Sequence, residues 1–390
     1  MQWVPVDADE VRDGPLSGIP VAVKDLIDVA GLPTRCGSAV LADAAPARTD
    51  AAVVAGLRAA GAVVVAKTHT HEFAYGPTGD VAVQGPCHNP HDPERITGGS
   101  SSGSAAAVAA GLVPLAVGTD TGCSVRIPAA LCGVVGLKPG LGALPTTGVF
   151  PLSETCDHVG LLGRDVGMIA VAFGALTGRR LDPSASVRGT VVGRPADPYW
   201  RVYDPEITAA VDRGAAALVA AGCELREVWL SGIEELAATY PVIVGAEAYA
   251  THARWLAERP YDYQPATAAR LRAAAEHTAA GYVTAQRTRR RLAGELTARM
   301  LAEGIDLLLL PTTPLRATPI GAEQVDAPDG TRVTVWPALL SLTLPFNLLG
   351  WPAVSVPGPG VPGLPAGVQV VAVRGAEQAA LAVATRISPA

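Results

Sequence analysis

A chain of 390 residues, 49% of them apolar and 17% charged, is long enough to bury a large core and is neither disordered nor fibrous in composition. Its formal charge of −6 offers no basic footprint for nucleic acid or an anionic membrane. The first residues carry Asp7, Asp9 and Glu10 where a signal peptide wants positive charge.

Residues 1–18 read as a short irregular lead. A strand is expected at Ile19–Val23, ending at Lys24 and Asp25, then a helix over 50–60 and a strand at Ala62–Ala66. Segment 76–103, rich in Gly, Pro, Asn and Ser, reads as one long functional loop. The longest apolar run, Ala105 to Gly118, is broken by Gly111 and Pro114 and is shorter than the ~20 residues of a membrane span. It divides into a helix, Ala105–Leu112, and a buried strand, Val113–Gly118. Helices follow at 164–177, 206–221, 234–258, 265–303 and 376–387, with short buried strands such as Leu307–Leu310 and Val368–Val373. Strands alternating with helices predict an α/β fold, a mixed, twisted central sheet covered on both faces. One domain over 1–390 is expected. The six cysteines (Cys36, Cys87, Cys123, Cys132, Cys156, Cys223) lack CxxC spacing and read as free thiols in a cytoplasmic protein. Lysine occurs only at Lys24, Lys67 and Lys138, the other cations being arginines. A lysine kept against that bias has one capacity arginine lacks, that of giving up its proton.

Two Ser/Gly clusters carry the chemistry. The first, Thr97-Gly98-Gly99-Ser100-Ser101-Ser102-Gly103-Ser104, is open to three readings: a phosphate cradle, a linker, or a nucleophile or relay loop. It lacks the GxxxxGK[ST] order of a phosphate loop, and its flanks look like packed core. The second, Gly118-Thr119-Asp120-Thr121-Gly122-Cys123-Ser124-Val125-Arg126-Ile127-Pro128, follows a buried strand. Ser124 is placed there at a strand end among amides able to stabilise an oxyanion, each worth ~3–4 kcal/mol in other hydrolases. A serine needs a base. None of the seven histidines stands in an arrangement pointing to Ser124, and no GxSxG elbow surrounds it.

From Gly18 to Gly160 the chain resembles the amidase signature family. The matching pieces are Gly18-Ile-Pro-Val-Ala-Val-Lys24-Asp25, Ala66-Lys-Thr-His-Thr-His-Glu-Phe-Ala-Tyr-Gly76, Gly85-Pro-Cys-His-Asn-Pro90, the two clusters, and Leu131-Cys-Gly-Val-Val-Gly-Leu-Lys-Pro139. Weaker matches follow at Leu309–Pro314 and Phe346–Pro357. The resemblance implies a Ser–cisSer–Lys site. Lys24 matches the family's lysine base, Ser100 the bridging serine after a cis peptide, and Ser124 the nucleophile. It assigns the oxyanion hole to the amides of Thr121, Gly122, Cys123 and Ser124, and a supporting role to Ser101, Asp120 and Arg126. It implies no cofactor and no metal. The apolar neighbours of Lys24 are consistent with the desolvation such a base requires. The catalytic core is then about 18–160, a substrate-determining region about 180–305, and 306–390 the rest of the same fold.

Ser102 and Cys123 stand where the family often has glycine. Thiol catalysis by Cys123 and a metal cluster of His69, His71 and Glu72 are weaker alternatives, and Gln286–Arg291 reads as a solvated helix face. Tyr240, Trp255, Tyr263, Trp336, Phe346 and Trp351 are candidate pocket walls. The expected function is hydrolysis of a small amide through an acyl-serine. The alternatives are a carbamate, urea derivative or ester substrate, a glutaminase-type component supplying ammonia to a partner, and an inactive binding protein. A small-molecule substrate, no nucleic acid, no membrane, and a monomer or homodimer complete the expectation.

Overall fold

In this computed structural model, which describes residues 1–4, 12–373 and 375–388, one mixed sheet of eleven strands organises the molecule. The N-terminal strands are β1 (Gln2–Trp3), β2 (Pro20–Lys24) and β3 (Val63–Thr68); a small hairpin, β4 (His88–Asn89) and β5 (Asp92–Ile96), stands apart. Then come β6 (Leu115–Asp120), β7 (Val135–Lys138), β8 (His158–Gly163), β9 (Val191–Pro195), β10 (Glu224–Val228) and β11 (Leu307–Pro311). A second hairpin, β12 (Gln324–Asp326) and β13 (Arg332–Thr334), precedes β14 (Ala353–Pro357) and β15 (Gly367–Ala372). The large sheet runs β1-β3-β2-β6-β8-β7-β14-β15-β11-β9-β10.

The helices are α1 (Ala52–Ala59), α2 (Ser102–Ala109), α3 (Arg126–Cys132), α4 (Val166–Thr177), α5 (Pro205–Ala220) and α6 (Ile233–Glu258). They continue as α7 (Pro265–Ala274), α8 (Ala279–Ala302), α9 (Val335–Ser341), α10 (Leu344–Leu348) and α11 (Glu377–Ile387). Among the described residues no helix is long and apolar enough to cross a membrane.

The period-2 alternation of strands sorts side chains onto two faces. Val21 and Val23 of β2 and Leu115 and Val117 of β6 enter the larger core, while Ala22 and Ala116 enter a smaller one shared with Ala105, Val108 and Ala129. Lys24, two residues past Ala22, therefore falls on the face covered by α2 and α3. Because β2 and β6 are parallel, with Val23 opposite Val117, Lys24 and Asp120 end at the same edge of the sheet. The loops after those strands meet there, as they do at the carboxyl ends of parallel strands generally.

Three sequence expectations change. The lead is not wholly irregular, since Gln2 and Trp3 pair with Lys67 and Ala66 as an edge strand. Segment 76–103 holds the β4–β5 hairpin, and its last two residues already belong to α2. Finally, 265–303 is two helices, because Thr278 caps α8 by accepting from the amide of Gly281.

Candidate active site

Lys24 is fully buried, with Nζ 2.7 Å from Ser100 Oγ and 2.8 Å from Thr119 Oγ1. Burial pulls its pKa from 10.5 down to about 7, against the opposing charge of Asp120. That difference corresponds to roughly 5 kcal/mol in favour of the neutral amine relative to water, so a free base is available near neutrality. All three lysines are buried, but Lys67 bonds the Ile27 carbonyl and pairs with Asp25, and Lys138 bonds the carbonyls of Pro139 and Trp351. Only Lys24 faces hydroxyls alone.

The Ser100 loop is built for close approach. Gly98 has φ +74°, a region that disfavours side chains, and a Cβ on Gly99 would stand 2.7 Å from the Gly79 nitrogen. The Gly99–Ser100 peptide is cis. Ser101 ties this loop to both neighbours. Its hydroxyl lies 3.2 Å from the Thr119 carbonyl and from the Thr119 amide, and its amide donates to the Ser124 carbonyl at 3.1 Å. Ser102, in place of the usual glycine, bonds His69 Nδ1 at 2.8 Å.

Ser124 follows β6 and is only 3% exposed, reached through a cavity of about 20 Å³. The packing of Tyr75, Tyr240, Trp336 and Leu340 around that cavity encloses it. Its Oγ makes no hydrogen bond to Ser100 Oγ, and the polar neighbour is Cys123 Sγ at 3.7 Å. Unliganded sites commonly leave such bonds long until substrate tightens them. Among the described residues, the amides of Thr121, Gly122, Cys123 and Ser124 find no protein acceptor. Successive free N–H groups beside a hydroxyl are donors of the kind that can stabilise a developing oxyanion.

Asp120 and Arg126, both fully buried, brace this loop. Arg126 Nε and Nη2 each lie 3.0 Å from a different oxygen of Asp120. Burial alone would raise the Asp120 pKa, but the Arg126 charge and hydrogen bonds outweigh it and hold the carboxyl well below its usual range. Asn347 of α10 donates to the Asp120 side chain and backbone carbonyl, and Arg126 donates to the Thr343 carbonyl. Cys123 has an ordinary negative φ, and burial pushes its thiol up to about 12, so it stays protonated.

Of the expected pocket walls, Tyr240 and Trp336 line the cavity at Ser124. Trp255 and Tyr263 pack around Phe73, Phe346 stacks on Trp200, and Trp351 is buried. Nor is Gln286–Arg291 wholly a solvated face. Arg289 is buried and donates to the carbonyls of Leu348 and Thr155. His69 and Glu72 are engaged by protein partners, Glu72 accepting from Ser38 and the Gln264 amide. Sequence reasoning missed Thr119 as a partner of Lys24, and Asp157, which accepts from Thr121 Oγ1 at 2.5 Å. It also missed how tightly Tyr240 covers Gly122, where a Cβ would collide with the tyrosine ring and hydroxyl.

The mixed sheet thus carries a buried lysine, two serine loops and a row of free amides at one edge. The amidase family model matches residues 6–381, and the chain belongs to that family. It is an amidase, an enzyme of carbon–nitrogen bonds. It is 39% identical over 375 residues to AtzE, the 1-carboxybiuret hydrolase subunit of Pseudomonas sp. (strain ADP), covering 92% of this chain and 80% of that one. It is 38% identical to a glutamyl-tRNA(Gln) amidotransferase subunit of Symbiobacterium thermophilum (strain DSM 24528 / JCM 14929 / IAM 14863 / T), over 93% of this chain and 81% of that protein. Among solved structures it resembles an amidase with a TM-score of 0.90 and 38% identity, covering 99% and 91% of the two chains. It also resembles 6-aminohexanoate cyclic dimer hydrolase complexed with substrate, with a TM-score of 0.86 and 30% identity, covering 97% and 86%.

Proposed function

We propose that the protein hydrolyses a small amide through an acyl-Ser124 intermediate, with Lys24 as the base acting through Ser100. The observation that carries this is the buried Lys24 amine hydrogen-bonded to Ser100, on a loop tied through Ser101 to Ser124. Neutral Lys24 takes the Ser100 hydroxyl proton as Ser100 takes that of Ser124, and Ser124 Oγ bonds to the carbonyl carbon. The carbonyl oxygen gains negative charge against the amides of 121–124. The proton then returns through Ser100 to the leaving nitrogen, the C–N bond breaks, and the acyl group remains on Ser124. Water, deprotonated by the same relay, attacks the ester and restores the hydroxyl. Asp120, Arg126 and Ser101 hold the loops in place.

On this reading residues 18–160 carry the chemistry, 180–305 shape the substrate side and 306–390 complete one domain. The enzyme works in the cytoplasm as a monomer or homodimer without a cofactor. The likeness to a 1-carboxybiuret hydrolase component favours extending the substrates to urea derivatives. The likeness to an amidotransferase component favours a second reading, ammonia supply to a partner. A panel of amides, carbamates and esters, assayed on the purified chain alone, tests both. Amide turnover without a partner, with a fluorophosphonate adduct mapped to Ser124, is the expected result; an unlabelled Ser124 contradicts it.

A further inference from the structure

A larger cavity of about 420 Å³ adjoins the one at Ser124, and the two share Tyr75, Tyr240, Trp336 and Leu340 as walls. The shared residues make the larger space the natural seat for whatever part of a substrate lies beyond the scissile amide. Its lining is mainly apolar, with one permanent cation, Arg270 of α7.

Arg270 is half-buried, and its guanidinium carbon lies 4.7 Å from the centre of the Trp336 ring. Among the described residues it makes one hydrogen bond, from Nη1 to the Tyr75 carbonyl at 2.9 Å. Among them it forms no ion pair, and Asp80 acts on it only through its more distant charge. The contrast is with Arg126, which pairs with Asp120, and Arg289, which is surrounded by backbone carbonyls. A guanidinium has five N–H donors in a fixed fork. Most of those on Arg270 have no acceptor among the described residues. A second unmet donor stands beside it, since the buried indole N–H of Trp336 has no partner there either. A buried donor without an acceptor, as the Trp336 N–H is, is costly unless a ligand supplies an oxygen, and the unpaired donors of half-buried Arg270 are open to the same ligand.

We infer that Arg270 and Trp336 form an anion subsite, so that the preferred substrates carry a carboxylate on the portion lying beyond the amide cleaved at Ser124. This rests on the amide-hydrolase reading above. A carboxylate offers two coplanar oxygens to the fork of Arg270, while the indole face beneath stabilises the cation.

The test is competition for Ser124. Purified enzyme is labelled with a fluorophosphonate in the presence of malonamate, succinamate or glutaramate, or of the neutral amides of equal chain length, propanamide, butanamide and pentanamide. In the wild type at least one carboxylate should half-protect Ser124 at a concentration tenfold or more below its neutral counterpart. Arg270→Gln should bring that ratio close to one, Arg270→Lys should restore part of it, and Trp336→Phe, which keeps an aromatic ring but removes the N–H, should reduce it several-fold. Equal protection by charged and neutral amides in the wild type, or a ratio unchanged in both Arg270→Gln and Trp336→Phe, overturns the subsite. Failure of the wild type to label at Ser124 would instead remove the nucleophile assignment, and the subsite with it.

Discussion

Replacing Arg126 by leucine tests whether the oxyanion loop depends on the ion pair beneath it. Arg126 and Asp120 are both fully buried, so the substitution leaves a carboxylate in the core whose compensating charge has gone. Breaking a buried pair in this way typically costs about 3–5 kcal/mol, a third or more of the stability of many domains. The pH dependence gives a sharper signature. In the wild type the Asp120 carboxyl is held below its ordinary pKa, so the stabilisation is complete above that value and is lost only as pH falls through the acid range. Between pH 7.5 and 5.5 it contributes no change. In the variant the Arg126 charge and hydrogen bonds are gone, and burial, opposed now only by Asn347, Lys138 and the loop amides, raises the Asp120 pKa, so the folded form binds a proton that the unfolded form does not. The variant should therefore gain stability as pH is lowered from 7.5 to 5.5. Urea unfolding followed by tryptophan fluorescence at both pH values measures this through the midpoint at constant slope. Asp120→Asn combined with Arg126→Leu should recover at least half the loss without restoring activity. A single variant within 1 kcal/mol of wild type, or one losing stability as pH falls, refutes the reasoning.

Ser124→Ala should lower turnover by at least about 10⁴-fold while leaving the thermal midpoint within about 1 °C (about 1 kcal/mol in a chain of this size), read by amide assay and calorimetry. Gly122→Ala places a methyl group against Tyr240 and should cut kcat by at least tenfold (about 1.4 kcal/mol); an unimpaired enzyme would mean the tyrosine yields freely. Cys123→Ala should retain activity within an order of magnitude, because a thiol raised to about 12 is no nucleophile at neutral pH. Asp157, lifted to about 6 by burial, titrates close to Lys24, so Asp157→Asn separates the two: a rate limb near pH 7 should persist in that variant.

The part of the site legible in the sequence was the part written locally. An apolar strand ending in lysine, and serines among glycines, are local patterns that drew attention to Lys24, Ser100 and Ser124, but the roles proposed for them come from the resemblance to the family; the structure brings Lys24 and Ser100 together at 2.7 Å. What escaped notice depends on segments distant in the chain. Thr119 meets Lys24 only because β2 and β6 are parallel neighbours in a given register, which no local pattern reports. Arg270 sits on α7, whose alanine-rich turns give no clue to which face meets the cavity, and for Tyr240, read as a pocket wall, it was the contact with Gly122 that no local pattern reports. The break before α8 had a local signal in Thr278, masked by helix-favouring alanines on both sides. The Gln2–Trp3 strand exists only because the edge of β3 is free to pair. Arg289 looked like its exposed neighbours because a run of arginines on a helix hides the single position turned inward.

The rate of Ser124 inactivation by a fluorophosphonate as a function of pH requires no knowledge of the substrate and reports the base directly. With Lys24 cationic below its pKa of about 7 and neutral above it, the second-order rate constant should rise tenfold per pH unit in the acid range and level off above about pH 8. Lys24→Ala should abolish that limb and most of the rate. A profile flat from pH 5.5 to 9.5, or a wild-type limb kept intact in Lys24→Ala, would contradict the account.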